Sequence, residues 1–200
     1  MEDFGPGRKG FKWCYCFSQA ANSNMRAMPY WKPLIIDGRE INLDHLEPFS
    51  FPIVPKGWAD GALVRVAFNN HCFTEKFAKE LHGTPLSIAH VPAHEERGFD
   101  QTRYELSKEL PAQIRSLDGQ RIAQTRTSTL VRVTLASGLV YGIFFVLRRR
   151  EKALCELFVL SAYPLERAVR SIVTTGEMKF NVAVAKVLEG KKLKFPPGRF

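Results

Sequence analysis

The sequence predicts an α+β fold, in which an antiparallel C-terminal meander packs against helices and an N-terminal β-hairpin section precedes them. Three observations carry this expectation. "TLVRVTL" (129–135), "LVYGIFFVL" (139–147) and "LCELFVLSAY" (154–163) are apolar, β-branched and aromatic, and lie one turn apart. Asp37-Gly38 sits between a short apolar run and the alternating Ile41 and Leu43, a strong hairpin signal. Between these regions, 74–81 and 101–119 have helix-forming composition.

Residues 1–29 mix Gly, Pro, Asn and Ser without a period and read as a loosely ordered tail. A single domain is expected over 30–195, divided into a β-rich section (30–70), a helical section (71–118) and a basic β-meander (125–195). "FSFPIV" reads as a strand that Pro52 confines to an edge. "ALVRVAF" (62–68) is a fourth strand, with Leu63 facing away from Val64 and Val66. Thr74 is placed as the cap of a helix ending near Gly83. In "QTRYELSKELPAQIRSLDG", Tyr104, Leu106, Leu110 and Ile114 form an apolar stripe that Pro111 offsets. "KFNVAVAKVLEG" fits a last strand or a last helix.

With Ser137-Gly138 as a two-residue turn, one face of the meander collects Val131, Val133, Leu135, Val140, Phe144, Val146, Cys155, Leu157 and Val159. The other face then holds Arg132, Thr134, Tyr141, Phe145, Glu156 and Phe158. Such a face can grip phosphate on Arg132 and stack a base on Tyr141 or Phe158, as single-stranded RNA binding requires. Residues 1–100 carry 11 Lys and Arg against 12 Asp and Glu, whereas 101–200 carry 18 against 8. The whole excess of the +9 net charge therefore lies in the second half. A one-sided excess suits a polyanion, and Arg148 opens a basic run, "RRREK", that can clamp backbone phosphates.

Four scattered cysteines give neither a zinc ribbon nor a disulfide framework, and a reduced cytoplasmic setting follows. The longest apolar run spans nine residues, against the roughly 20 of a membrane helix, so no membrane association is expected.

RNA cleavage by 2′-hydroxyl attack needs a base, an acid and a cation beside the phosphorane oxygens. His94 with Glu95, Glu96 and Arg97 brings those residue types together, and His71 is placed after a strand and before a helix, a common site position. Cys72 is a poor nucleophile partner for His71, because adjacent strand side chains point apart. Ser161 has no G-x-S-x-G context, which disfavours a hydrolase triad. His90 and His94 are four apart, but Pro92 between them opposes a helical metal pair and no third ligand is evident. Neither metal nor cofactor is expected, and a metal-dependent hydrolase is a third, lesser reading.

The segments "HCFTEKF", "RGFDQTRYELSKELP", "YGIFFVLRR" and "LFVLSAYP" together resemble an uncharacterised bacterial family associated with stationary-phase growth adaptation and mobile elements. A more distant likeness is to the barnase–EndoU–RelE-like ribonuclease fold. That likeness implies a last strand bearing a hydroxyl residue and an aromatic, matched here by Ser161 and Tyr163, and Arg132 or Tyr141 on an earlier strand. The chain departs from it in an extra N-terminal β-rich section and in having no unambiguous histidine on a strand. The reading that results is an RNA-binding, metal-independent ribonuclease-like protein of toxin or stress-adaptation type, with an inhibitory protein as a further partner. His71, His94 and Tyr163 are its catalytic candidates; Arg132, Tyr141, Arg148 and Ser161 are its substrate-binding candidates. The alternative is a non-catalytic module that binds nucleic acid or protein through the same surface.

Overall fold

The computed structural model describes residues 29–86, 88, 95–165 and 172–196. The tail expected over residues 1–29 falls, but for its last residue, outside them. A hairpin of β1 (Leu34–Ile36) and β2 (Arg39–Ile41) comes first, turning on Asp37 and Gly38 at φ 49° and 73°. Both positive values are what a two-residue type I′ turn demands. β3 (Phe49–Ile53) and β4 (Ala62–Phe68) pair antiparallel, and β3 with its Pro52 is an edge strand.

The helix expected over 74–81 is instead a strand, β5 (Thr74–Lys76), followed by one helical turn, α1 (Lys79–His82). β5 pairs antiparallel with β6 (Arg97–Phe99), more than twenty residues on. This long-range pairing overrides the local helical composition. The ring of His82 lies against Gly98, where a Cβ would collide with it. His82 Nδ1 accepts from the Ala78 N–H at 2.9 Å, and Nε2 meets Glu75 Oε1 at 3.1 Å, which locks α1 onto the β5–β6 pair.

α2 (Gln101–Ser107) is capped by Asp100, whose carboxylate accepts from the Arg103 N–H. α3 (Leu110–Arg115) follows, with Pro111 inside its first turn, where a missing N–H costs little. β7 (Arg121–Gln124), β8 (Thr129–Thr134), β9 (Val140–Glu151), β10 (Leu154–Pro164) and β11 (Gly176–Lys179) complete the strands. The open segment "KFNVAVAKVLEG" begins at the end of β11 and continues as α4 (Phe180–Leu188). Phe180, Ala183, Val184, Val187 and Leu188 are buried at helical spacing, and the Phe180 ring meets that of Phe145 at 6.3 Å.

The expected meander β8-β9-β10 is present, but as the middle of a seven-stranded sheet of order β11-β7-β8-β9-β10-β4-β3. The architecture is α+β as expected; the sheet is mixed rather than a separate antiparallel meander, because β4 lies parallel to β10. The cause is burial. Cys155, Leu157 and Val159 on β10 need apolar neighbours on their free side, and Val64, Val66 and Phe68 on β4 supply them.

The two faces also differ from expectation. The β8–β9 loop is Ala136-Ser137-Gly138, three residues with Gly138 at φ 81°, so Val133 opposes Tyr141 and Val131 opposes Ile143. One residue of slip exchanges the faces of β9. Tyr141, Ile143 and Phe145 point into the core, while Gly142, Phe144 and Val146 lie on the outer face with Arg132. A second irregularity, a bulge at Leu160, shifts β10 so that Ser161 and Tyr163 share that outer face.

The faces predict opposite sensitivities. Leu157→Ala, in the core, is expected to lower unfolding free energy by about 2–5 kcal/mol. Leu63→Ala, on the outer side, is expected to stay within about 0.5 kcal/mol. Urea denaturation of both variants checks this, and equal losses would contradict the assigned faces.

Candidate active site

β4 and β10 run parallel only as far as Phe68 opposite Val159. There the Asn69 N–H still bonds the Val159 carbonyl, and the chain then turns through a 3-10 turn, Asn70–Cys72. The Asn69 side chain caps this turn by accepting from the His71 N–H. The carboxyl half of β10, past the Leu160 bulge, therefore has the 3-10 turn and α2 beside it instead of a strand. A crevice beyond the carboxyl ends of parallel strands is a recurrent place for a site.

His71 Nε2 meets Glu95 Oε1 at 2.7 Å, with both side chains about one-third exposed. An ionised Glu95 fixes the proton on Nε2 and leaves Nδ1 as the acceptor, the arrangement by which a carboxylate orients a general base. Glu95 is held in turn by Arg97 Nη1 at 3.4 Å. Arg97 is buried, and its Nε donates to Thr74 Oγ1 at 3.0 Å and its Nη2 to the Thr74 carbonyl at 2.9 Å. Thr74 is thus no helix cap. It is a buried strand residue whose hydroxyl donates to the Asn70 carbonyl and accepts from Arg97.

Arg103, in the first turn of α2, completes the cluster. Its Nε pairs with Asp100 at 3.0 Å, and its Nη1 donates to the carbonyls of Thr74 and His71 at 3.0 and 3.4 Å. The same guanidinium stands 5.3 Å from the Tyr163 ring centroid. Among the described residues, Nη2 of Arg103 has no hydrogen-bond partner. Tyr163 also stacks on Phe144, with centroids 5.1 Å apart and planes 18° from parallel.

Burial, and then the charge of Arg97, holds the His71 pKa below the ordinary 6.5 against the opposing pull of Glu95. The imidazole is accordingly neutral at pH 7 and able to accept a proton. Beneath it the fully buried Cys72 thiol is pushed up to about 12 and remains protonated, unfit as a nucleophile.

The structure brings His71 and Tyr163 to one cluster through Arg103, and places Ser161 on the same side of β10 as Tyr163. Arg132, Gly142 and Tyr163 form one cross-strand row, so exposed Arg132 faces the same way, about 10 Å from Tyr163. The intervening Gly142 leaves no side chain of its own; Leu165 fills that space, 2.8 Å from where a Cβ would stand. Tyr141 lies on the core side, with its hydroxyl buried and unpartnered among the described residues. Burial, then the Cys72 neighbour, drives its phenol pKa upward. Arg148 opposes Glu156 near the other end of β10. His94 falls outside the described residues.

Arg103 escaped the sequence reading, although a signal existed. A cation in the first turn of a helix opposes the macrodipole and needs a compensating partner, which Asp100 provides. Among the described residues, no group of three or more His, Cys, Asp or Glu side chains is placed to hold a metal ion. No described helix is long and apolar enough to cross a membrane.

These features define a mixed-sheet α+β protein with a histidine–carboxylate pair and two arginines where a parallel strand pair ends. Residues 33–188 match the model of the YjaZ family, and the chain belongs to that family. This agrees with the kinship to an uncharacterised bacterial family that the sequence motifs suggested. No curated protein and no solved structure matches the chain.

His71 and His45 both have lowered values, His45 through burial and then Lys108. Between the folded values and 6.5 the unfolded chain binds more protons, so stability is full above 6.5 and is lost as pH falls through that window. Glu95→Gln removes the raising influences on His71 and lowers its pKa further. NMR titration of the imidazole in both proteins checks this; a rise in the variant would refute the dyad.

Proposed function

We propose that the protein is an RNA-binding, metal-independent endoribonuclease acting through His71, with Arg103 and Tyr163 beside it. The observation that carries the reading is the His71–Glu95 pair, set against Arg103, whose outer nitrogen has no protein partner among the described residues. In this scheme His71 Nδ1 takes the proton of the ribose 2′-hydroxyl, and that oxygen attacks phosphorus. The bond from phosphorus to the 5′-oxygen breaks, leaving a 2′,3′-cyclic phosphate, and Tyr163 gives its proton to the departing oxygen. Arg103 Nη2 faces the charge that gathers on the phosphorane. Arg132 and Ser161 hold flanking phosphate on the outer face, with Phe144 and Tyr163 as stacking surfaces.

The likeness to the barnase–EndoU–RelE-like fold supports this reading by analogy, through the serine and tyrosine of the last meander strand. The basic second half of the chain supports the choice of a polyanion. The proposed setting is cytoplasmic, in stress adaptation or maintenance of a mobile element, with an inhibitory protein as a regulator. One observation favours a second reading, a non-catalytic nucleic-acid or protein-binding module. All six described polar contacts of the Arg97 and Arg103 guanidinium groups are to protein, three of them to the Thr74 and His71 backbone, as in a purely structural cluster.

Incubation of labelled RNA with the purified protein in EDTA separates the two. The enzyme reading expects cyclic-phosphate products and a loss of about 10²–10⁴-fold in rate for His71→Ala. Tyr163→Phe should slow the reaction while leaving the thermal midpoint close to that of the parent. An absence of cleavage, or cleavage indifferent to both substitutions, leaves only the binding reading.

A further inference from the structure

The excess positive charge is concentrated away from the His71 cluster. The β9–β10 hairpin carries Arg148, Arg149, Arg150 and Lys152, and all four side chains are exposed. The carboxyl end of α4 meets this hairpin: Arg149 Nη1 lies 3.7 Å from where a Cβ on Gly190 would stand. That contact brings Lys186, Lys191 and Lys192 to the same end of the molecule. Residues 148–152 and 186–192 together hold seven cations and only two acids, Glu151 and Glu189.

Two cations in the group are neutralised locally. Arg150 grips both oxygens of Glu156 at 2.8 and 2.7 Å, and Lys191 pairs with Glu189 at 2.7 Å. Arg148, Arg149, Lys152, Lys186 and Lys192 have no ion pair among the described residues. Cations brought together from two separate elements repel one another, and an arriving polyanion relieves that repulsion.

β10 fixes the distance between this cluster and the dyad. From Cys155, opposite Arg149, to Tyr163 is eight strand residues, or about 25 Å. We infer that the hairpin and the end of α4 form a second, sequence-independent phosphate anchor for an RNA long enough to reach both ends of β10. This rests on the proposed function and names its substrate as a long strand. At about 3.4 Å per stacked nucleotide, some 7 nucleotides bridge the gap and 4 do not.

The test measures binding, not cleavage, in the His71→Ala protein so that the RNA stays intact. Affinities for a 4-nucleotide and a 20-nucleotide RNA are measured across salt concentrations, with and without the triple substitution Arg149→Gln, Lys152→Gln and Lys192→Gln. The long RNA should show the steeper salt dependence. The triple substitution should cut its slope by about 2, at about 0.7 per phosphate released, and weaken binding about tenfold or more. Equal slopes for the two lengths, or a triple variant that binds the long RNA like its parent, would overturn the anchor. Tighter binding of polyglutamate than of the long RNA, lost in the triple variant, would assign the surface to an acidic protein and overturn it too. Absent cleavage by the unsubstituted protein, with the expected slopes retained, refutes the dyad's role and leaves the anchor supported.

Discussion

The parallel pairing of β4 with β10 is the constraint on which the remaining structure depends. It joins a strand from the first third of the chain to one from the last, and so merges an N-terminal hairpin section and a C-terminal meander into one sheet. Its register sets Val64 beside Cys155, Val66 beside Leu157 and Phe68 beside Val159, all buried. Each fully buried side chain of this size contributes about 1.5–3 kcal/mol, enough to specify one register against its neighbours. Where β4 leaves off, the 3-10 turn delivers His71, and the exposed edge of β10 receives α2 with Arg103. The site is a product of the pairing's end.

The polar cluster has its own hierarchy. Thr74 stands at its centre, since Arg97 binds its hydroxyl and carbonyl, and Arg103 shares that carbonyl. Two guanidinium groups so close would repel, but Glu95 and Asp100 each sit against one of them. A buried charge left without its partner costs several kcal/mol, so the pairs hold one another in place. The same balance leaves His71 neutral: burial and Arg97 disfavour its charged form, and Glu95 opposes them incompletely. A neutral, oriented imidazole beside a partly open guanidinium is a consequence of this packing, whichever ligand it serves.

Much of the fold was legible because its signals are local. Asp37-Gly38 marked its hairpin, Pro52 its edge strand and Pro111 the break between α2 and α3. What stayed hidden depends on long range or on single residues. Thr74–Lys76 has helical composition and becomes a strand only because Arg97–Phe99 comes to lie beside it. A three-residue turn in place of a two-residue one moved Tyr141 and Phe145 from the outer face to the core. For the site, His71 and Tyr163 could be singled out by type and position. Their link could not, because Arg103 belongs to a helix whose docking against β10 no local pattern encodes.

The bulge at Leu160 shows how little separates a structural strand from a functional one. Up to Val159, β10 has strands on both sides and alternates strictly between core and outer face. An uninterrupted alternation would have sent Ser161 and Tyr163 into the core with Val159. The extra residue reverses the phase at the point where β4 ends, so Ala162 fills the buried position and the two hydroxyl side chains turn outward. The inward-facing run before it stays dry and rigid, and the run after it is free to carry polar groups beside Arg103. Regularising the strand with Leu160 kept in the alternation would bury both hydroxyls without partners, which the interior does not tolerate. The bulge is therefore maintained by the polarity of the residues that follow it.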